Sequence, residues 1–209
     1  MPTAQDVERV NFFVEERAQD YRQSSFLTLL TDPDTPVETK KATLTYLQPW
    51  SNAYQRMISA RVVHEPDDGL HALALLHQQE EIGHNIILHR SHPADGSTVF
   101  DPIIEACGSW YVDQLSSLPG VHKAAIAHLA LEVGCLVMSE AGLVPFPDDA
   151  YFALHVVADA DHVEMGYEML RERTDWTADE VIAVLDRAWQ VIGVASDRIA
   201  ECARRDTLA

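Results

Sequence analysis

Apolar residues recur along this chain every three or four positions, the period of a helix with one buried face. No stretch alternates as a half-buried strand would, and no segment repeats. The apolar periods fall into about seven segments, separated by short runs of Pro, Gly, Asp and Ser. The first covers roughly Ala4 to Leu30 and stops at "TDPDTP". A second opens on Thr35-Pro36-Val37-Glu38, which reads as a cap, a proline at the first helical position and a capping-box glutamate. It runs to about Val63, with Pro49 as a candidate kink. "HEPDDG" separates it from a third, about Asp68 to Ser91, which "HPADGS" ends. Asp101-Pro102 starts a fourth, to about Leu118, and "SLPG" leads into a fifth, about Val121 to Ala141. "GLVPFPDD" leads into a sixth, about Asp148 to Glu172. Thr177-Ala178-Asp179-Glu180 is a second capping box and opens the last, to about Arg204. Long helices joined by short loops predict an all-α bundle, and nothing divides residues 1–209 into more than one domain.

Polar residues interrupt the apolar face of three of these helices. In "HVVADADHV", His155, Asp159 and His162 fall within about 60° of one another around a helix, while Asp161 points to the other side. A buried polar group costs several kcal/mol unless it is paired or bound to metal. Spacing alone leaves two readings, a solvated face with pH-sensitive histidines and a stripe of metal ligands. In "HQQEEIGH", His77 and Glu81 are four apart, and Glu81 and His84 three apart. Glu80 sits about 100° around the helix from Glu81, and with Gln78 and Gln79 it reads as exposed polar surface. His89 and His92 read as surface groups near a helix end. In "AIAHLALEVGCLVM", only His128 and Glu132 break the apolar run. An unpaired carboxylate there would take up a proton, and basic partners are scarce in this chain. His128 reads either as support for a ligand or as a core histidine, and Cys135 as a small buried hydrophobe.

Together the three stripes offer Glu81, His84, Glu132, His155, Asp159 and His162. One zinc ion takes about four ligands. Three carboxylates and three imidazoles suit two iron or manganese ions held between helices.

Charge narrows the set of partners. Thirty-three acidic and 15 basic residues give a formal charge of -18. With no basic patch, neither nucleic acid nor an anionic membrane surface is an expected partner. "MPTAQDVERV" lacks the basic and apolar regions of a signal peptide, so none is expected, and no apolar run reads as a bilayer span. Cys107, Cys135 and Cys202 form no CxxC pair, which predicts reduced thiols and a cytoplasmic location.

Taken in order, the motifs are E-x-x-H, a lone Glu on a later helix, then H-x-x-x-D-x-x-H. They resemble those of the heme-oxygenase-like di-iron oxidases, within the superfamily that includes TenA, PqqC and heme oxygenase. "HQQEEIGH" is similar to the H-x-x-E-E-x-G-H run of many members, "LALEVG" resembles their central glutamate segment, and "HVVADADH" matches the final motif in full. The resemblance covers about His77 to Leu170. It implies a seven-helix heme-oxygenase-like bundle, usually a homodimer. It also implies two iron ions (Fe2+/Fe3+), with manganese as the alternative, and O2 as cosubstrate. An external reductant is a further implied partner. The implied reactions are N-oxygenation of an amine, C–C cleavage of an amino acid, or decarboxylative desaturation of a fatty acid, often in specialised-metabolite biosynthesis. The Glu-to-His spacing of the first motif varies between members, so His77 or Glu80 stands as an alternative to Glu81 or His84. Heme is not expected, because the first helix contains no histidine.

A small-molecule pocket is harder to place. Tyr46, Trp50 and Tyr54 recur every four residues and read as an aromatic core stripe or a pocket wall. Arg61 or Arg56 would be the partner of a substrate carboxylate. Gly83, Gly134 and Ala158 read as sites of close helix packing. Two rival classes remain, a metal-free TenA- or PqqC-like enzyme and a non-catalytic iron-binding helical protein.

Overall fold

A computed structural model describes residues 2–92 and 99–207, and among these there is no strand. The chain runs through α1 (Ala4–Arg22), α2 (Ser25–Thr31), α3 (Val37–Val63), α4 (Asp68–Glu81), α5 (His84–Ser91), α6 (Pro102–Ser117) and α7 (Gly120–Ile126). A π turn, Ala127–Leu131, joins α7 directly to α8 (Glu132–Gly142), and α9 (Ala150–Glu172) and α10 (Ala178–Thr207) follow. All seven segments expected from the apolar period are present, and the all-α bundle is as expected. Two segments are divided. The first breaks at Gln23-Ser24, where the Ser24 hydroxyl accepts from Leu27 N and caps α2. The third breaks at Ile82-Gly83, where Gly83 takes φ 91° in the left-handed region that other residues avoid.

The caps explain most of the boundaries. Asp101 accepts from the amides of Ile103 and Ile104 with Pro102 behind it, and Asp149 does the same for Tyr151 and Phe152. Thr177 forms half of the expected box: its hydroxyl accepts from Glu180 N and donates to the Glu180 carboxylate. The Thr35 box does not form: α3 begins at Val37 after an extended Pro36, with no side-chain cap. Thr35 therefore sits one residue too early, and the fixed φ of Pro36 sets the start instead. Helix α3 continues through Pro49. The stop signal "HPADGS" lies mostly at 93–97, outside the described residues.

One expectation needs correcting. The continuous helix Gly120–Gly142 is long and apolar enough by composition to cross a bilayer. In the bundle, 83% of its apolar window is buried, which makes it the core helix. It packs against α9 through the π turn and α8, while α3 packs against α6 and α10. Leu44, Leu47 and Met57 of α3, Tyr111 and Leu115 of α6, and Phe152 and Leu170 of α9 are fully buried. Each such side chain contributes about 1.5–3 kcal/mol by leaving water. Gly166 allows a close approach to the core helix: a β-carbon there would stand 2.6 Å from His128 Cβ. This contact draws α9 onto the segment that carries Glu132.

Candidate metal centre

The polar stripes of α4, α5, α8 and α9 meet at one buried point. Glu132, the first residue after the π turn, is 1% exposed. Its Oε1 accepts from the Tyr54 hydroxyl of α3 and lies 2.9 Å from His77 Nε2, while its Oε2 lies 3.1 Å from His162 Nδ1. Glu81 stands between two sets of imidazoles. Its Oε2 is 2.9 Å from His84 Nδ1 and 3.9 Å from His155 Nε2, and its Oε1 is 3.5 Å from His162 Nδ1. The His155 ring is oriented from behind, where Nδ1 donates to the Tyr151 carbonyl at 2.7 Å.

Donor atoms within 4.8 Å of one another fall into overlapping groups: His77, Glu81, Glu132 and His162; Glu81, His84 and His155; Cys135, His155 and Asp159. All six residues singled out by spacing (Glu81, His84, Glu132, His155, Asp159, His162) lie in this cluster. Asp161 and Val157 point outward, as helical geometry requires. His77, an alternative in the sequence, enters the first group. Glu80 stays at the edge, with Oε2 3.1 Å from His162 Nε2 and a side chain that is 45% exposed. Glu81 rather than Glu132 is the carboxylate common to two groups.

The electrostatics show a site with too many acceptors. Burial would raise the Glu132 carboxyl, but His77 and His162 hold it well below its usual value. Burial opposes the charge on His162, yet Glu132 and then Glu81 raise it to about 9. Asp159 finds no such help. Burial, then the neighbouring Glu132 and Glu81, push its carboxyl up to about 11. Among the described residues, neither Asp159 oxygen has a hydrogen-bond partner, nor does Glu81 Oε1. Orphaned carboxylate oxygens at 0–1% exposure are costly, and a cation beside them would remove the cost. The donor set therefore fits one or two metal ions of the oxygen- and nitrogen-preferring kind.

Around this centre the structure resolves several alternatives. His128 is fully buried, with Nε2 facing Arg61, which is itself 1% exposed. Arg61 is thus no substrate clamp, and Arg56 pairs with Glu105 at 3.0 Å on the outside. Tyr46 turns away to donate to Asp206. Trp50 and Tyr54 do line a pocket, with Glu81, His84 and His155 at its floor and Tyr21, Phe26, Met138 and Ile199 on its walls. Among the described residues, no Lys or Arg lines it. Cys135 also faces this pocket, and burial and then Asp159 raise its thiol well above the usual value. It is not a ready thiolate. His92 pairs with Asp149 at 2.5 Å.

Comparison with solved structures establishes the fold. The chain resembles a domain of unknown function with a heme oxygenase-like fold from Shewanella denitrificans, with a TM-score of 0.74 and 16% identity over 99% of this chain and 95% of that one. It also resembles TenA homologues from Pyrococcus furiosus (TM-score 0.72, 11% identity, 92% and 99% covered) and Pseudomonas syringae (0.68, 10%, 93% and 92%). In sequence, an uncharacterized protein of Rickettsia prowazekii is 29% identical over 165 residues, 78% of this chain and 80% of that relative. No protein-family profile matches the chain.

Proposed function

We propose that this heme-oxygenase-like chain is a non-heme di-iron oxidase that uses O2 to oxidise a small substrate. The observation that carries the reading is Asp159, a buried carboxylate beside two others and without a partner among the described residues. Glu81, His84, Glu132, His155, Asp159 and His162 would hold the ions. Ferrous iron bound there supplies the electrons for O2 activation, and manganese suits the same donors.

The chain's own residues do the rest. Tyr151 fixes the His155 ring so that Nε2 faces inward. Tyr54 holds Glu132 by one oxygen and forms part of the pocket wall. Aromatic and aliphatic walls exclude water beside the donors and bind an apolar portion of the substrate. An amino acid, amine or fatty acid is the proposed substrate class, within specialised-metabolite biosynthesis. A cytoplasmic homodimer fed by an external reductant completes the proposal. The charge of -18 disfavours nucleic acid and anionic membranes as partners.

A metal-free TenA-like enzyme is the second reading, favoured by the TenA homologues among the structural neighbours. Anaerobic titration of chelator-treated protein with Fe(II), followed by mixing with O2, separates the readings. Uptake of about two irons per chain and a transient visible band support the oxidase. Colourless protein without iron supports the second reading. Iron uptake with no O2-dependent turnover of any of the three substrate classes would leave a non-catalytic iron-binding protein.

A further inference from the structure

Two imidazoles turn a nitrogen toward the same buried guanidinium nitrogen. Arg61 Nη1 lies 2.9 Å from His128 Nε2 and 3.3 Å from His77 Nδ1. A guanidinium offers hydrogens and no lone pair, so both ring nitrogens accept. Nη1 carries two hydrogens, enough for one bond to each ring. A neutral imidazole carries a single N–H, and with Nδ1 of His77 accepting, that hydrogen sits on Nε2. Nε2 lies 2.9 Å from Glu132 Oε1 and donates to it.

We propose that Arg61 is a positioning residue that fixes His77 as an Nε2–H donor to Glu132 and so keeps His77 out of the metal-ligand set. The word "ligand" rests on the di-iron reading above; the placement of the hydrogen does not. A metal-bound imidazole gives its lone pair to the ion and donates its other N–H to an acceptor. His155 has that arrangement, with Nδ1 donating to the Tyr151 carbonyl and Nε2 left bare toward Glu81. His77 has the reverse. To bind an ion through Nε2, it would have to carry its hydrogen on Nδ1, head-on against the Arg61 N–H. Arg61, His77 and His128 are each 0–1% exposed, so bulk water does not reach the guanidinium. On α4 the geometry therefore assigns ligation to Glu81 and support of Glu132 to His77.

The test begins with metal-free, full-length protein carrying 15N-labelled histidine. Long-range 1H–15N correlation spectra report which ring nitrogen bears hydrogen, and the His77→Gln variant identifies the His77 signals. The expected result is a bare Nδ1 and a protonated Nε2; the reverse tautomer, or hydrogen on both, overturns the proposal. Arg61→Met should let the His77 tautomers mix and weaken Mn2+ binding about 10- to 100-fold. Arg61→Lys, which keeps one donor direction, should recover part of both. An unchanged His77 spectrum in a folded Arg61→Met variant overturns the role of Arg61. In His77→Gln the amide N–H replaces Nε2–H, so the Mn2+ count per chain should match the parent protein. Loss of one ion per chain would make His77 a ligand and sink the inference. If the parent protein takes up no metal at all, the di-iron reading fails, and the spectrum of the parent protein still decides the tautomer.

Discussion

His84 Nδ1 lies 2.9 Å from Glu81 Oε2, although the helix that should carry both is broken between them. Helix α4 ends at Glu81, α5 begins at His84, and Gly83 turns the chain at φ 91°. Residues three apart on an unbroken helix are also neighbours, so the pairing expected from spacing holds on a different backbone. The turn also sets the His84 ring edge-on to His155, with centroids 4.9 Å apart.

Gly83→Ala tests the backbone alone. A β-carbon at Gly83 would meet nothing within 4 Å, so the substitution adds no clash. It does force an L-residue into the left-handed region, at a cost of roughly 1–2 kcal/mol. Chemical denaturation of the metal-free protein should show that loss. Gly83→Asn should lose less, because Asn tolerates this conformation. Equal losses from the two variants would mean that the turn relaxes and carries no such constraint.

Glu132→Ala should prevent assembly of two metals. The substitution leaves Tyr54, His77 and His162 without their shared acceptor and removes a carboxylate from the first donor group. Metal analysis after anaerobic loading checks it. Full loading and full activity would make Glu132 a buried structural carboxylate only.

Local periodicity made the three stripes and their helices legible in the sequence. The inward set His155, Asp159, His162 and the outward Asp161 follow from 3.6 residues per turn and nothing else. What the sequence withheld is nonlocal or energetically balanced. Gly83 inside an apolar period is compatible with a continuous helix as well as a break. The π turn before Glu132 has no composition of its own and depends on packing against α9. Arg61 meets His77 and His128 across 16 and 67 residues of sequence, and Tyr54 meets Glu132 across 78, so no spacing rule links them. His77 was visible as one of several candidates, and only its partners fix its role.

Stability of the metal-free protein should fall as pH rises through neutrality. Asp159, raised to about 11, and His162, raised to about 9, both lie above their ordinary values of 3.8 and 6.5. In each case the folded chain binds more protons between the two values. The stability contributed is complete below the ordinary value and lost as pH rises through the folded one. Glu132, His128 and His155 work the other way, but only below about neutrality, since each is held below its ordinary value of 4.5 or 6.5. Denaturant midpoints of chelator-treated protein should therefore be lower at about pH 8.5 than at about pH 6.5. Mn2+ should reverse the trend, because binding requires these groups deprotonated. A midpoint that rises with pH in the absence of metal would contradict the protonated Asp159.

Asp159→Ala and Asp161→Ala form a matched pair two residues apart on one helix. Asp159 is buried with both oxygens unpartnered among the described residues, whereas Asp161 is exposed. Removing Asp159 takes one negative charge from beside Glu81 and Glu132, so two cations are less well compensated. Fewer irons should bind per chain, and the O2-dependent absorbance should fail even where some iron remains. The metal-free protein should respond in the opposite sense. Without its buried, unpaired carboxyl it should lose its alkaline destabilisation, so the variant should hold its denaturant midpoint above the parent's at high pH. Asp161→Ala should leave iron uptake, absorbance and midpoint within error of the parent. Iron titration, stopped-flow absorbance and denaturation on the two variants decide the matter. Damage from Asp161→Ala with a harmless Asp159→Ala would overturn both the inward face of α9 and the metal centre built on it.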